Sequence, residues 1–319
     1  MRILFLLYPT SRVKVDEDSS FWIMNELVHR GHEVHYFESK DLVWKDGVLR
    51  ARWRKALLHK RKGFLPSPLS AEAMDLNRAD ILFIRKEPPF DREYLYALQL
   101  LSPLKENVFI LNDPDGIARC NEKLFILEFQ PYIAETLVTC QVAEALRFAE
   151  SLGKEVVVKP LDQKAGTGIF KTSAKAPDVR ARLYAAMEGG SRTLMVQRYL
   201  PQNAFGDKRI LVLNGEVIGA FLRRPSGKDF RANLSLGGTM HRASVTTGEK
   251  KMVEALSPKL LRHGLYFVGL DVIGGYLSEI NVTSPSGIPE IKQLNDKHLE
   301  KKVVDFMERY RARFSDRKR

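Results

Sequence analysis

The segment FVGLDVIGGYLSEINVTSP, residues 267–285, sets Asp271, Glu279 and Asn281 among side chains that otherwise belong in a core. Gly274-Gly275 marks a hairpin turn between strands over 268–273 and 276–282. Loop length decides which side chains meet. A two-residue loop pairs Asp271 with Ser278 and sends Glu279 to the opposite face; a three-residue loop centred on Gly275 pairs Asp271 with Glu279 and keeps Asn281 on that face. Two opposed carboxylates repel, and burying either unpaired is costly, so the three-residue register requires cations between them. The three side chains offer hard oxygens and neither sulfur nor imidazole, which points to magnesium rather than zinc. The plainer alternative is an edge hairpin with an ordinary polar face.

Two lysines stand where polyphosphate could be held. EVVVKP (155–160) brings Lys159 to the end of a buried strand, ahead of the small-residue loop LDQKAGTG (161–168). Such a lysine and the loop's N–H groups can hold phosphate, although a strand-end lysine commonly just reaches solvent. ARCNEKL (118–124) places Lys123 at a helix start, and LMVQRYLP (194–201) reads as a strand running into a linker.

The elements that must position these groups follow from periodicity. A strand over 3–7, a helix opened by Asp18-Ser19-Ser20 and closed at Gly31, and a strand over 33–37 make a β-α-β unit. Further parallel strands at 79–84 and 107–111, with a helix over 92–101 between them, make the first 115 or so residues a small doubly wound domain without GxGxxG. Helices are expected at 121–129, 142–152 and 177–188, and strands at 155–158 and 193–198. Long β segments at 210–213 and 216–223 flank Asn214-Gly215, followed by a helix over 249–263.

Composition narrows the class. The 319 residues, 44% hydrophobic and 28% charged, can bury a large core. No apolar run is long enough to span a membrane, and the opening MRILFLLYP reads as a buried strand rather than a signal peptide. Cys120 and Cys140 support neither a disulfide framework nor a metal site, which favours the cytoplasm. The net charge of +12 suits nucleic acid or anionic small substrates. Its basic runs, 50–62 and 309–319, read as solvated helix faces or tails and carry no nucleic-acid motif.

The residues resemble the prokaryotic glutathione synthetase family of ATP-grasp ligases over about 1–291. The motifs are DSSF (18–21), RKEPPFD (85–91), CNEKL (120–124), ETLVT (135–139), VKPLD (158–162), YLP (199–201), GDKR (206–209), RANLSLGG (231–238) and GLD with EINVTSP (269–271 and 279–285). The resemblance implies an α/β ATP-grasp fold. Its parts would be a Rossmann-like domain over 1–118, a lid over 119–200 and a C-terminal domain with the metal site over 201–319. It implies that ATP phosphorylates γ-glutamylcysteine and that glycine attacks the acyl phosphate.

Matched positions then suggest Lys123, Lys159, Lys164 and Gly166 around the phosphates, and Gln197, Arg198, Tyr199 and Leu200 around adenine. Asp207 falls near the ribose. Asp271, Glu279 and Asn281 match the ligands of Mg2+, two ions by the family pattern, with Mn2+ an alternative. Arg209, Arg223, Arg231 and Asn233 would face the transferring phosphate, with Arg223 or Arg224 the inward side chain. Ser19, Ser20, Arg85, Ser284 and Ser286 fall in the substrate motifs. The family often assembles into dimers or tetramers.

Two positions depart from the pattern. The loop QKAGTG (163–168) is poorer in glycine than the family's, and Pro289 in SPSGIPEI stands where the family carries arginine. A ligase with another acceptor amine, and an RNA-associated nucleotide-binding protein showing salt-sensitive binding without turnover, are the competing readings.

Overall fold

The computed structural model describes residues 1–319 apart from 15, 60–62, 66, 164–165, 228 and 317–319. The apolar runs near the N-terminus form the parallel strands Phe109–Leu111, Ile81–Arg85, Arg2–Leu7 and Glu33–Glu38, in that spatial order, with Arg54–Lys55 antiparallel at the edge. Strands buried along nearly their whole length need cover on both faces, and Arg2–Leu7 and Ile81–Arg85 have that burial. The helices Ser19–His29 and Arg92–Leu101 start where Asp18 and Asp91 accept from the N–H groups of Phe21 and Tyr94. Because Glu33–Glu38 and Ile81–Arg85 lie on opposite sides of Arg2–Leu7, a crevice opens at their carboxyl ends, the usual ligand position in such sheets.

Two antiparallel sheets follow. One runs Thr136–Thr139, Leu194–Arg198, Val156–Pro160, Phe170–Thr172. The helices Val142–Leu152 and Val179–Ala186 pack on it through Ala145, Ala149, Val179 and Leu183 against Val156, Val158, Leu194 and Val196. The other runs Thr239–Arg242, Glu216–Arg224, Asp207–Leu213, Phe267–Ile273, Tyr276–Asn281. Asn112 ties it to the first sheet: its Nδ2 donates to Phe267 O (2.7 Å) and Val282 O (2.9 Å), and its Oδ1 accepts from Phe267 N (2.8 Å).

Two expectations are corrected, and a third is met in its described part. The described part of the basic run 50–62, residues 50–59, is not a helix face: Ala51, Trp53 and Ala56 are buried, Arg52 and Lys55 are exposed, and the run contributes to Val48–Ala51, Arg54–Lys55 and Leu58–His59, while 60–62 lie outside the described residues. Period-two alternation over 50–55 carried that signal. Residues 309–316 of the second basic run do lie on a helix, Leu299–Asp316, with Arg309 exposed, while 317–319 lie outside the described residues. That helix packs on Ser19–His29; Arg30 just beyond the latter pairs with Asp305 (2.7 Å) and Glu308 (2.9 Å), and Arg311 pairs with Asp80 (2.9 Å). In place of a helix over 121–129, Asn121 Oδ1 accepts from the N–H groups of Lys123 (3.0 Å) and Leu124 (3.1 Å), and short 3-10 turns follow over Phe125–Tyr132, broken at Phe129. An asparagine that bonds its own following backbone competes with an α-helical start.

Candidate active site

The hairpin of 267–281 turns through Gly274 and Gly275, both at positive φ (57° and 87°), so that Ile273 pairs with Tyr276. This is a two-residue turn of the kind glycines permit, and the three-residue loop is overturned. Asp271 nevertheless opposes Glu279, because Ser278 is an extra residue in a bulge between the pairs Asp271–Glu279 and Val272–Leu277. Asn281 lies opposite Gly269, and its Nδ2 reaches Asp271 Oδ2 at 3.3 Å.

Cations lie against both carboxylates. Arg209, directly across from Asp271 on the neighbouring strand, donates from Nε to Oδ1 (2.6 Å) and from Nη2 to Oδ2 (3.2 Å). Arg223 Nη2 lies 3.0 Å from Asp271 Oδ1 and 2.6 Å from Asp207 Oδ2, and Arg224 is exposed, so Arg223 is the inward side chain. Burial by itself would push the Asp271 carboxyl up, yet Arg209 and Arg223 outweigh it and hold it down at about 2. Burial wins at Asp207, whose carboxyl is pushed up to about 6 despite Arg223. Glu279 Oε1 accepts from Lys123 Nζ (2.9 Å), which also donates to Gln163 O (2.9 Å). Lys159 Nζ donates to Gln197 Oε1 (2.8 Å) and Ser278 Oγ (3.0 Å), and burial pushes its pKa down to about 8.

Apart from Arg223, these groups line a cavity of about 150 Å³ between the two antiparallel sheets. Its apolar wall comes from Val157, Ile169, Leu200, Phe230 and Ile273, and its polar wall holds Lys123, Lys159, Arg209, Asp271, Glu279 and Asn281. Gln197, Arg198 and Tyr199 line the same space; the Arg198 side chain is turned to Glu135 (2.6 Å). Arg231 Nη1 donates to Gly166 O (2.7 Å), docking the loop after Lys159 onto the 229–238 segment. Gly166 has φ +76°, and a Cβ there would come within 3.0 Å of Arg231 Cδ and Asn233 Oδ1. Lys164 lies outside the described residues.

A second cavity, about 440 Å³, opens at the carboxyl ends of the parallel strands and is lined by Ser19, Arg85, Arg223, Ser284 and Ser286 among others. Arg85 is 1% exposed; its Nε donates to Ser20 Oγ (2.9 Å) and its Nη2 to Pro285 O (2.9 Å). Ser20 therefore stands behind Arg85 rather than on the cavity wall. Ser19 Oγ accepts from Gly287 N (3.1 Å) and Ile288 N (3.2 Å), fixing the start of the helix Ile288–Asn295. Glu122, Arg209, Asn233 and Asn281 line both cavities, so the two spaces share one wall.

Two members of this arrangement escaped sequence reasoning. Glu122 is the neighbour of Lys123 in CNEKL, and its Oε1 accepts from Val282 N (3.0 Å), Thr283 N (3.1 Å) and Thr283 Oγ1 (2.7 Å). Only its presence in the motif could have flagged it. Ser278 enters because of the bulge, which nothing in the local sequence announces.

Two sequence profiles match this chain: the prokaryotic glutathione synthetase N-terminal domain over residues 1–118 and the ATP-grasp domain of the same family over 122–296. A glutathione synthetase of Gloeobacter violaceus is 37% identical over 316 residues, covering 97% of each chain, and one from Vibrio cholerae is 36% identical over 311 residues, covering 97% of this chain and 98% of that one. The chain belongs to the prokaryotic glutathione synthetase family. Solved structures share its ATP-grasp fold: D-cycloserine synthetase DcsG (TM-score 0.66, 13% identity, 98% and 99% of the two chains) and the ATP-grasp ligase PsnB (TM-score 0.64, 14% identity, 98% of each). The protein is thus an ATP-dependent carboxylate–amine ligase, and membership of the family implies use of ATP and Mg2+. No helix among the described residues is long and apolar enough to cross a membrane.

The donor set fits a hard divalent cation. Among the described residues no three His, Cys, Asp or Glu side chains cluster closely enough to hold a metal. Asp271, Glu279 and the Asn281 amide could supply hard oxygens to such an ion, with phosphate oxygens and water completing the shell as magnesium prefers in nucleotide sites.

Proposed function

We propose that this protein joins γ-glutamylcysteine to glycine at the expense of ATP, giving glutathione, ADP and phosphate. The observation that supports this most directly is the wall shared by the two cavities. A nucleotide in the narrower space and a dipeptide in the wider one would meet at Arg209, Asn233 and Asn281. The reading divides the chain into a Rossmann-like domain (1–118), a lid (119–200) and a C-terminal domain (201–319), and assigns a dimer or tetramer in the cytoplasm.

A carboxylate attacking the γ-phosphate brings two anions together, so the chain's work is to hold them in line and lower their repulsion. Lys123 and Lys159 hold the phosphates, while Gln197 to Leu200 and the apolar wall hold adenine. Asp271, Glu279 and Asn281 would hold Mg2+, two ions in this reading with Mn2+ as a substitute, which neutralises phosphate oxygens when bound. Arg209, Arg223 and Arg231, with Asn233, face the transferring phosphate and then the oxyanion formed when the amine attacks. Closing the lid keeps water from the acyl phosphate.

The deciding measurement is ADP release with γ-glutamylcysteine while amino acids are screened as acceptors. Strong dependence on glycine is expected. Activity with another amine alone selects the second reading, which rests on Pro289, buried in the first turn of Ile288–Asn295, where the family carries arginine. Salt-sensitive RNA binding with no ADP release under any acceptor selects the third.

Lys159 makes a signed prediction. Its pKa of about 8 lies below the ordinary 10.5, so the unfolded chain binds more protons between those values and stability contributed by this group rises with pH there. ATP affinity should move the other way, weakening as pH rises through about 8 because the ammonium is lost. In Lys159→Arg, whose guanidinium stays charged, calorimetric titration of ATP should lack that alkaline decline. An unchanged decline would remove Lys159 from the phosphate site.

A further inference from the structure

The wider cavity holds a carboxylate that the reaction outlined above does not use. Glu290 lies in the first turn of Ile288–Asn295, is 8% exposed and lines the cavity, and its Oε2 is buried without a hydrogen-bond partner. Such an oxygen costs free energy unless a ligand meets it. The other acids of this cavity are already engaged or open to water: Asp18 accepts from Phe21 N (2.8 Å) and from the Tyr8 hydroxyl, Glu122 accepts three hydrogen bonds, Glu87 has an interaction of its own, and Glu17 is exposed beside Lys14. The charges acting on Glu290 are those of Arg209 and Arg223 from the central sheet and Glu17 from the loop before Ser19–His29. Burial raises its carboxyl above the ordinary range in spite of the two arginines.

Its place relative to the shared wall is fixed from several sides. Arg209 Nη1 donates to Ser286 O (3.2 Å), Arg85 Nη2 to Pro285 O (2.9 Å), and the first N–H groups of the helix donate to Ser19. The arginine that borders both cavities therefore also holds the loop that leads to Glu290. An amine arriving to attack at the shared wall must come from the wider cavity, because the nucleotide fills the other.

An amino acid reaches the enzyme largely as an ammonium ion, whose nitrogen has no lone pair available for attack. We propose that Glu290 is a catalytic residue of the amine-transfer step: its free oxygen receives the acceptor's ammonium group and takes one proton from it. The nitrogen lone pair then forms the N–C bond to the acyl carbon, the C–O bond to phosphate breaks, and the second nitrogen proton leaves with the phosphate. Glu290 returns its proton to solvent. This inference rests on the ligase reading.

The test uses the full chain with γ-glutamylcysteine and MgATP and compares two acceptors. Glycine needs deprotonation; hydroxylamine is already neutral at neutral pH and traps the acyl phosphate as a hydroxamate. If the wild type releases ADP with neither acceptor, the ligase reading itself fails. Given an active wild type, Glu290→Gln should lose about 10²-fold or more of kcat with glycine while hydroxamate formation stays within about threefold of wild type. Its glycine rate should climb with pH as the amine deprotonates in solution. Equal losses with both acceptors, or an unchanged glycine rate, overturn the assignment. Should Glu290→Gln not fold, Glu290→Asp is read the same way: a loss confined to glycine supports the role and equal losses overturn it.

Discussion

Replacing Asp271 with Asn is expected to lower ADP formation by about 10³-fold or more, since the carboxylate anchors two arginines and supplies one of three proposed Mg2+ donors. The change is nearly isosteric, so the loss would be electrostatic. Arg209 would keep its bond to Ser286 O but lose its bidentate carboxylate, whereas Arg223 would keep Asp207. Removing one partner of a buried pair costs about 3–5 kcal/mol, so chemical denaturation should show a clear loss of stability beside the kinetic one. Glu279→Gln is the informative companion. Glu279 is 23% exposed against 8% for Asp271 at the side chain, so its stability cost should be smaller while turnover still falls by orders of magnitude. A Mg2+ titration in which both variants keep wild-type turnover would remove the carboxylates from the metal site.

Arg209→Met should cut kcat by about 10²–10³-fold, the effect of losing one preorganised group that faces developing negative charge. It borders both cavities and is the direct cross-strand neighbour of Asp271. The ATP Kd should change much less, because Lys123 and Lys159 remain. A second readout comes from acid stability. Asp271 is held at about 2 against an ordinary 3.8, so its pair with the arginines contributes stability that is complete above about 3.8 and lost as pH falls toward 2. Without Arg209 the folded value rises, and acid unfolding should begin at higher pH. Arg209→Lys restores charge but not the two-pronged geometry, and should recover only part of kcat. Wild-type kcat in Arg209→Met would exclude this arginine from the reacting centre.

How much of this could be read before folding differs from element to element. The parallel sheet was legible because buried parallel strands are continuous apolar runs, as at 3–7 and 81–84, and the helix at 19 announced itself through Asp18. The strands over 48–59 were not, since arginine and lysine on alternate positions look like a solvated face until Trp53 and Ala56 find a core.

The chain's local chemistry pointed to the residue types that the ligase reading uses: hard oxygens at 271, 279 and 281, a lysine at a strand end and another in CNEKL, and arginines on long β segments. Register was settled only by long-range pairing. Arg223 rather than Arg224 faces Asp271 because Glu216–Arg224 pairs with Asp207–Leu213 so that Asp207 opposes Arg223, and one residue of slip would exchange the two. The bulge at Ser278 works the same way, restoring the Asp271–Glu279 pair that a two-residue turn alone would have broken. Side-chain type is a property of one residue. Facing, burial and shared cavity walls arise from packing between strands distant in the chain.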